Sequence, residues 1–143
     1  METRRQSHCV YRCEYHIVWI PRFRYKILRP GVAEYLSIKL KEIRKFHPEI
    51  EFIEQNIRPD HIHLVLNFPP KYSVSKVVNL LKSNTSKALR NKFEFIREIY
   101  RGDTTVWSVG YFVATVGLNE KTIINYVKYQ SEEDSGQAKL DLG

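Results

Sequence analysis

The chain has 143 residues, 43% hydrophobic and 13% aromatic, a composition that excludes a disordered polymer and suits one domain over residues 1–143 with one core. Its 23 Lys and Arg outnumber its 16 Asp and Glu, for a formal net charge of +7, which points to an anionic partner, most often nucleic acid. No run of ~18 apolar residues and no signal-peptide core is visible, so a soluble, cytoplasmic protein with no membrane partner is expected.

Residues 9–20 alternate, with Tyr11, Cys13, Tyr15, Ile17 and Trp19 on one face, and predict a long first strand closed by Pro21. In such a strand Cys9 and Cys13 lie about 13 Å apart, too far for a disulfide. The stretch around it is basic: Arg12 lies on the strand, and Arg22, Arg24 and Lys26 mix with Phe23 and Tyr25 in the connector, a combination suited to phosphates and stacked bases. Pro30 opens a predicted helix to about Phe46, with Ala33, Leu36, Leu40, Ile43 and Phe46 as its core stripe. A strand over 49–57, a tight Arg58-Pro59-Asp60 link and a strand from Asp60 to Phe68 should form an antiparallel pair.

Ser73 is a candidate N-cap for a helix to about Lys92 with Val74, Val77, Val78 and Leu81 inward. Its polar back carries Lys82, Lys87 and Arg90, which could follow a phosphate chain. Residues 107–116 predict a fourth strand, and Asn119 caps a last helix over about 120–131, leaving 132–143 as a polar tail. The order βαββαβ followed by a helix predicts an α+β, ferredoxin-like antiparallel sheet with helices on one face and an added C-terminal helix.

The chemistry concentrates in two stretches. In Asp60-His61-Ile62-His63-Leu64-Val65-Leu66-Asn67-Phe68, alternation puts Ile62, Leu64, Leu66 and Phe68 on the core face and His61, His63, Val65 and Asn67 on the other. His61 and His63 stand about 6–7 Å apart along the strand, close enough for two imidazoles to share one ion. On the last helix, Tyr126 and Gln130 are one turn apart on a common face. His61, His63 and Gln130 could give two nitrogens and one oxygen to Mg²⁺ or Mn²⁺, and the lack of cysteine ligands and of a third nearby histidine argues against structural zinc. His16 reads as an ordinary strand residue. A Tyr126 phenolate is a plausible nucleophile towards phosphorus, though its ordinary pKa near 10 calls for a neighbouring cation or base. Two other readings stay open on these residues: a ferredoxin-like nucleic-acid-binding module without chemistry, and a metal-dependent phosphodiester hydrolase that uses water.

These stretches carry a resemblance. His61-Ile62-His63 is similar to the His-hydrophobic-His signature of HUH nucleases, and Tyr126-Val127-Lys128-Tyr129-Gln130 resembles the tyrosine helix of the single-tyrosine transposases of bacterial and archaeal insertion sequences. The likeness extends through Tyr15-His16-Ile17-Val18-Trp19, Arg58-Pro59-Asp60-His61 and Gly110-Tyr111-Phe112-Val113-Ala114-Thr115-Val116-Gly117, roughly residues 8–131. It implies an enzyme that cuts and rejoins single-stranded DNA at the ends of a mobile element through a 5′-phosphotyrosine linkage and recognises hairpins there. It also implies a homodimer in which the tyrosine helix of one subunit completes the histidine site of the other. Carried over by position, Tyr126 is the nucleophile, His61, His63 and Gln130 hold the metal, Tyr129 is not catalytic, and Gly117 is a hinge for the exchanged helix.

Overall fold

The computed structural model describes residues 4–6, 9–11 and 13–136. Strands β1 (Arg4–Gln6) and β2 (Cys9–Tyr11) form an antiparallel hairpin. The main sheet contains β3 (Tyr15–Trp19), β4 (Glu51–Arg58), β5 (His61–Asn67) and β6 (Phe112–Ala114), in the order β4-β5-β3-β6 with every pairing antiparallel. Helix α1 (Pro30–Lys41) joins β3 to β4, and α2 (Val74–Lys92) with the short α3 (Glu94–Ile99) joins β5 to β6. This is the expected ferredoxin-like order, with α4 (Glu120–Ser135) appended.

The sheet has two unlike faces because each strand alternates. Ile17 and Trp19 on β3 and Ile62, Leu64 and Leu66 on β5 are fully buried in the main core, where they meet Val32, Leu36 and Leu40 of α1 and Val77, Val78, Leu81 and Leu89 of α2. Trp19 meets Trp107 edge to face at 5.9 Å. On the opposite face, Val18 and Ile20 pack against Val127 of α4, with Phe112, Leu118, Ile123 and Tyr126 around them. The tyrosine helix is therefore laid across the histidine face of its own sheet.

Several expected boundaries move, each for a local reason. The long first strand is broken: Cys9–Tyr11 pair with Arg4–Gln6, and the main ladder starts at Tyr15 opposite Leu66. Just before it, the Cys13 N–H turns to the Asn67 side-chain Oδ1 at 3.4 Å. Helix α1 tightens into a 3₁₀ turn over Glu42–Lys45, which rotates Phe46 out of the core to 83% exposure. Val32, not Ala33, is the buried residue of the first turn. The fourth strand shrinks to three residues because the segment before it is tied elsewhere. Trp107 Nε1–H donates to Thr85 Oγ1 at 3.0 Å, Val106 N–H to Ser86 Oγ at 3.1 Å, and Ser108 N–H to Ile20 O at 3.0 Å. Finally, α4 passes residue 131 and stops at Ser135, where Gly136 takes the left-handed conformation of a helix C-cap (φ 82°).

Candidate active site

The β4–β5 turn orients the first histidine. His61 Nδ1 pairs with Asp60 Oδ1 at 2.9 Å, and the other oxygen of Asp60 accepts from Arg24 Nε at 2.8 Å. Burial works to raise the Asp60 pKa, but the bonds from His61 and Arg24 prevail and hold the carboxyl below its usual range. The carboxylate thus fixes the His61 ring and leaves Nε2 as the nitrogen available to a ligand, the arrangement found behind many metal-binding histidines. The sequence reading missed this role of Asp60 and Arg24. Arg24, expected at a phosphate, is committed to Asp60 instead, from a turn in which Phe23 and Arg24 both hold positive φ (63° and 58°).

His63 stands two residues on, opposite Asn56 of β4 and Val18 of β3. Its Nε2 lies 3.3 Å from Nδ1 of His16. The expectation that no third histidine is near fails here. His16 pairs with Val65 in the β3–β5 ladder, which puts its ring diagonally beside that of His63 on the same face. Burial, then His16, lowers the His63 pKa, which favours the neutral ring that a ligand nitrogen requires. A cavity of about 550 Å³ opens beside His61 and His63, lined also by Asn56 and Arg58 of β4 and by Leu118, Glu120, Ile123 and Ile124 at the start of the last helix.

Tyr126 and Gln130 are brought together elsewhere along α4. A Cβ added at Gly110 would lie 3.0 Å from Gln130 Oε1 and 3.7 Å from Tyr126 Oη, so both side chains rest on this glycine. The Tyr126 ring packs 5.6 Å from Phe112, and its hydroxyl is buried without a hydrogen-bond partner among the described residues. Burial and, less strongly, Asp134 raise its pKa well above the usual tyrosine value. Gln130 is buried, and its Nε2 donates to Asp134 Oδ1 at 3.4 Å.

Asp134 was expected in the tail, yet it closes this end of the helix. Its Oδ2 accepts from Phe23 N–H at 2.9 Å and from the Ser108 hydroxyl. Lys82 supports the same loop from α2, donating to the carbonyls of Ser108 at 2.6 Å and Gly110 at 3.1 Å. Burial pushes the Lys82 ammonium down to about 8, with Asp134 pulling the other way. Lys82 is therefore tied to the Gly110 loop, while it also lines the open cavity beside α2.

The expected nucleic-acid contacts of α2 share one cavity: Lys82, Lys87 and Arg90 line an open space of about 590 Å³ with Asn79, Ser83 and Thr105. Arg90 also donates to the Asp103 carbonyl at 2.7 Å. Arg22 is half-buried near Asp103 at 3.9 Å, while Lys26 is exposed. Arg12 lies outside the described residues. Gly117 is exposed just before α4, with open space where a side chain would be.

The donor chemistry fits a divalent cation in part. His61 and His63 present imidazole nitrogens on one sheet face beside an open cavity. Gln130 and Tyr126 do not line that cavity, and among the described residues no three His, Cys, Asp or Glu side chains are gathered into a complete cation site. His61 and His63 share one cavity, while Tyr126 and Gln130 share Gly110 as a neighbour.

Comparison with known proteins bears on what the two halves are for. Residues 9–130 match the family model described as "Transposase IS200 like". The chain is 32% identical over 136 residues to the transposase for insertion sequence element IS200 of Salmonella typhimurium, across 95% of this chain and 88% of that one. A crystal structure of a provisionally described transposase from Deinococcus radiodurans superimposes with a TM-score of 0.79 at 26% identity, over 89% of this chain and 97% of that one. A REP-associated tyrosine transposase bound to a REP hairpin shares the fold (TM-score 0.54, 16% identity, 97% of this chain and 77% of that one).

Proposed function

The chain belongs to the IS200-like transposase family, and from that premise we propose that it cuts and rejoins single-stranded DNA through a covalent bond to Tyr126. The observation that carries this reading is the Tyr126 phenol, held one helical turn from Gln130 and buried with no hydrogen-bond partner among the described residues. A tyrosine kept only for packing is cheaper as phenylalanine, because an unpaired buried hydroxyl costs about 1–3 kcal/mol. A hydroxyl retained at that cost suits a group whose partner is a substrate.

In the proposed reaction, Tyr126 Oη attacks the phosphorus of a phosphodiester in line with the departing 3′ oxygen. The new O–P bond forms, the P–O3′ bond breaks, and the phenolic proton is lost while the leaving oxygen gains one. The product is a 5′-phosphotyrosine and a free 3′-OH; attack by another 3′-OH reverses the step and rejoins the strand without a nucleotide cofactor. Mg²⁺ or Mn²⁺ bound by His61 and His63, with Gln130, would polarise the phosphate and offset the charge that builds on it.

That reaction needs the two halves of the site to meet. Gly117 precedes α4 and is free on its surface, so it is the natural pivot. We infer a homodimer in which α4 leaves its own sheet and brings Tyr126 and Gln130 to the histidines of its partner. Single-stranded DNA carrying the hairpins of an element end is the proposed partner, with Lys87 and Arg90 beside the α2 cavity as phosphate contacts.

The test is a denaturing protein gel after incubation with single-stranded DNA of an element end and Mn²⁺ or Mg²⁺. A covalent protein–DNA band is expected. Cleavage without such a band would favour a hydrolase that uses water, and DNA binding without cleavage would favour a binding module.

A further inference from the structure

We propose that the turn over Arg22–Arg24 is a positioning element of the site: it links the seating of α4 to the orientation of the His61 ring, with Arg24 acting on His61 through Asp60. The inference rests on the reading of His61 as a working residue of the proposed reaction. It goes further by naming what sets that ring, and by joining it to the helix that carries Tyr126 and Gln130.

Two bonds leave this turn from consecutive residues. The Phe23 N–H donates to Asp134 Oδ2 at 2.9 Å, near the end of α4. The Arg24 Nε–H donates to Asp60 Oδ2 at 2.8 Å, and Asp60 Oδ1 holds His61 Nδ1 at 2.9 Å. Asp134 also accepts from Gln130 Nε2 at 3.4 Å. A continuous series of polar contacts therefore runs from the Gln130 amide to the His61 imidazole, with the Phe23–Arg24 backbone in the middle. The Asp60 side chain is only 14% exposed, so without Arg24 its oxygen has to find another donor, and the bond to His61 shifts with it.

The backbone in the middle is strained. Phe23 (φ 63°, ψ 13°) and Arg24 (φ 58°) are the non-glycine residues with positive φ among the described residues. That conformation is unfavourable for a bulky side chain and persists where the surroundings over-determine it. Arg22 is fixed to the core: its N–H donates to Val106 O at 2.8 Å, and its carbonyl accepts from the Tyr100 hydroxyl at 2.9 Å. Phe23 and Arg24 are then held by the Arg24 N–H bond to Pro21 O at 2.9 Å and by the two carboxylates. One of those carboxylates belongs to α4. Loss of Asp134 removes a bond that keeps Phe23 in the left-handed region, and Arg24 is the next residue along, so its reach to Asp60 changes.

The deciding readout is the His61 ring, because Asp134 also bonds Gln130 and cleavage alone would mix the two effects. Nuclear magnetic resonance of the ring nitrogens, in the metal-free full chain with isotopically labelled histidine, supplies it at pH about 8, where imidazoles are ordinarily neutral. His61→Gln identifies the His61 signals, and the parent should carry the His61 proton on Nδ1, facing Asp60. Arg24→Ala and Asp134→Ala should each shift the His61 nitrogens away from that tautomer. Arg24→Lys and Asp134→Asn, which keep a donor and an acceptor, should restore them. Thermal unfolding checks that the variants fold, and Asp134→Ser, too short to reach the Phe23 N–H, replaces the alanine variant if that one does not. His61 signals at their parental positions in a folded Asp134→Ala or Asp134→Ser chain would overturn the coupling, whatever Arg24→Ala does. His61→Ala separates this from failure of the underlying reading: cleavage of single-stranded DNA at the parental rate without that imidazole would remove His61 from the reaction, and the proposal with it.

Discussion

Replacing Tyr126 with phenylalanine is expected to abolish the covalent DNA adduct and lower cleavage by roughly a thousandfold or more, since the proposed reaction runs through its hydroxyl. The same change should leave the fold intact and raise its stability by about 1 kcal/mol, because it deletes a buried hydroxyl that has no partner. The combination is diagnostic: activity and stability move in opposite directions, as they do where a protein carries a costly group for its function. The raised pKa of Tyr126 fits the same picture. Against Phe112 and near Asp134 the phenolate is disfavoured, so the proposed reaction calls for a neighbouring cation. Tyr129 offers a control. It is exposed, bonds Glu133 at 2.8 Å, and its phenylalanine variant should cleave like the parent.

His63→Ala is the second large effect. Removing one imidazole of a cation site takes away part of the charge stabilisation that such an ion supplies, several kcal/mol in favourable cases, so cleavage should fall by roughly 10²–10³-fold. The loss should be partly recovered at high Mn²⁺, which a purely structural defect would not permit. Stability should change little, since His63 is only half-buried and faces the open cavity, not the main core. Cleavage by His63→Ala at the parental rate, over the same range of Mn²⁺, would remove the histidine pair from the mechanism.

The sheet and its two faces could be read along β5, where strict alternation separates Ile62, Leu64 and Leu66 from His61 and His63. Tyr126 and Gln130 were likewise legible as one helical face. What escaped depends on partners far apart in the chain. His16 can be placed on the histidine face by alternation, but its approach to His63 follows from the β3–β5 register, which no local pattern contains. Lys82 and Arg24 look like free cations in a basic sequence; only the fold supplies the loop carbonyls and the Asp60 carboxylate that occupy them. A polar composition after Gln130 suggested a tail, yet Asp134 finds the Phe23 N–H and the Ser108 hydroxyl and holds the helix end down. Phe46 erred the other way, because a 3₁₀ turn shifts the phase of the apolar stripe by more than the sequence reveals.

The separation of Tyr126 and Gln130 from the histidine cavity gives the fold a mechanical reading. Helix α4 is held at its far end by Asp134 and is preceded by Gly117, which has open space around it, with Val127 buried between.

Mixing the two inactive variants tests the whole account most directly. A Tyr126→Phe subunit retains the histidines, and a His63→Ala subunit retains the tyrosine helix. If α4 is exchanged, their mixture contains heterodimers with one complete site, and covalent DNA adduct should return on the His63→Ala chain alone. A mixture that stays as inactive as its two components, under conditions where heterodimers are present, would contradict the exchange of a tyrosine helix between histidine sites.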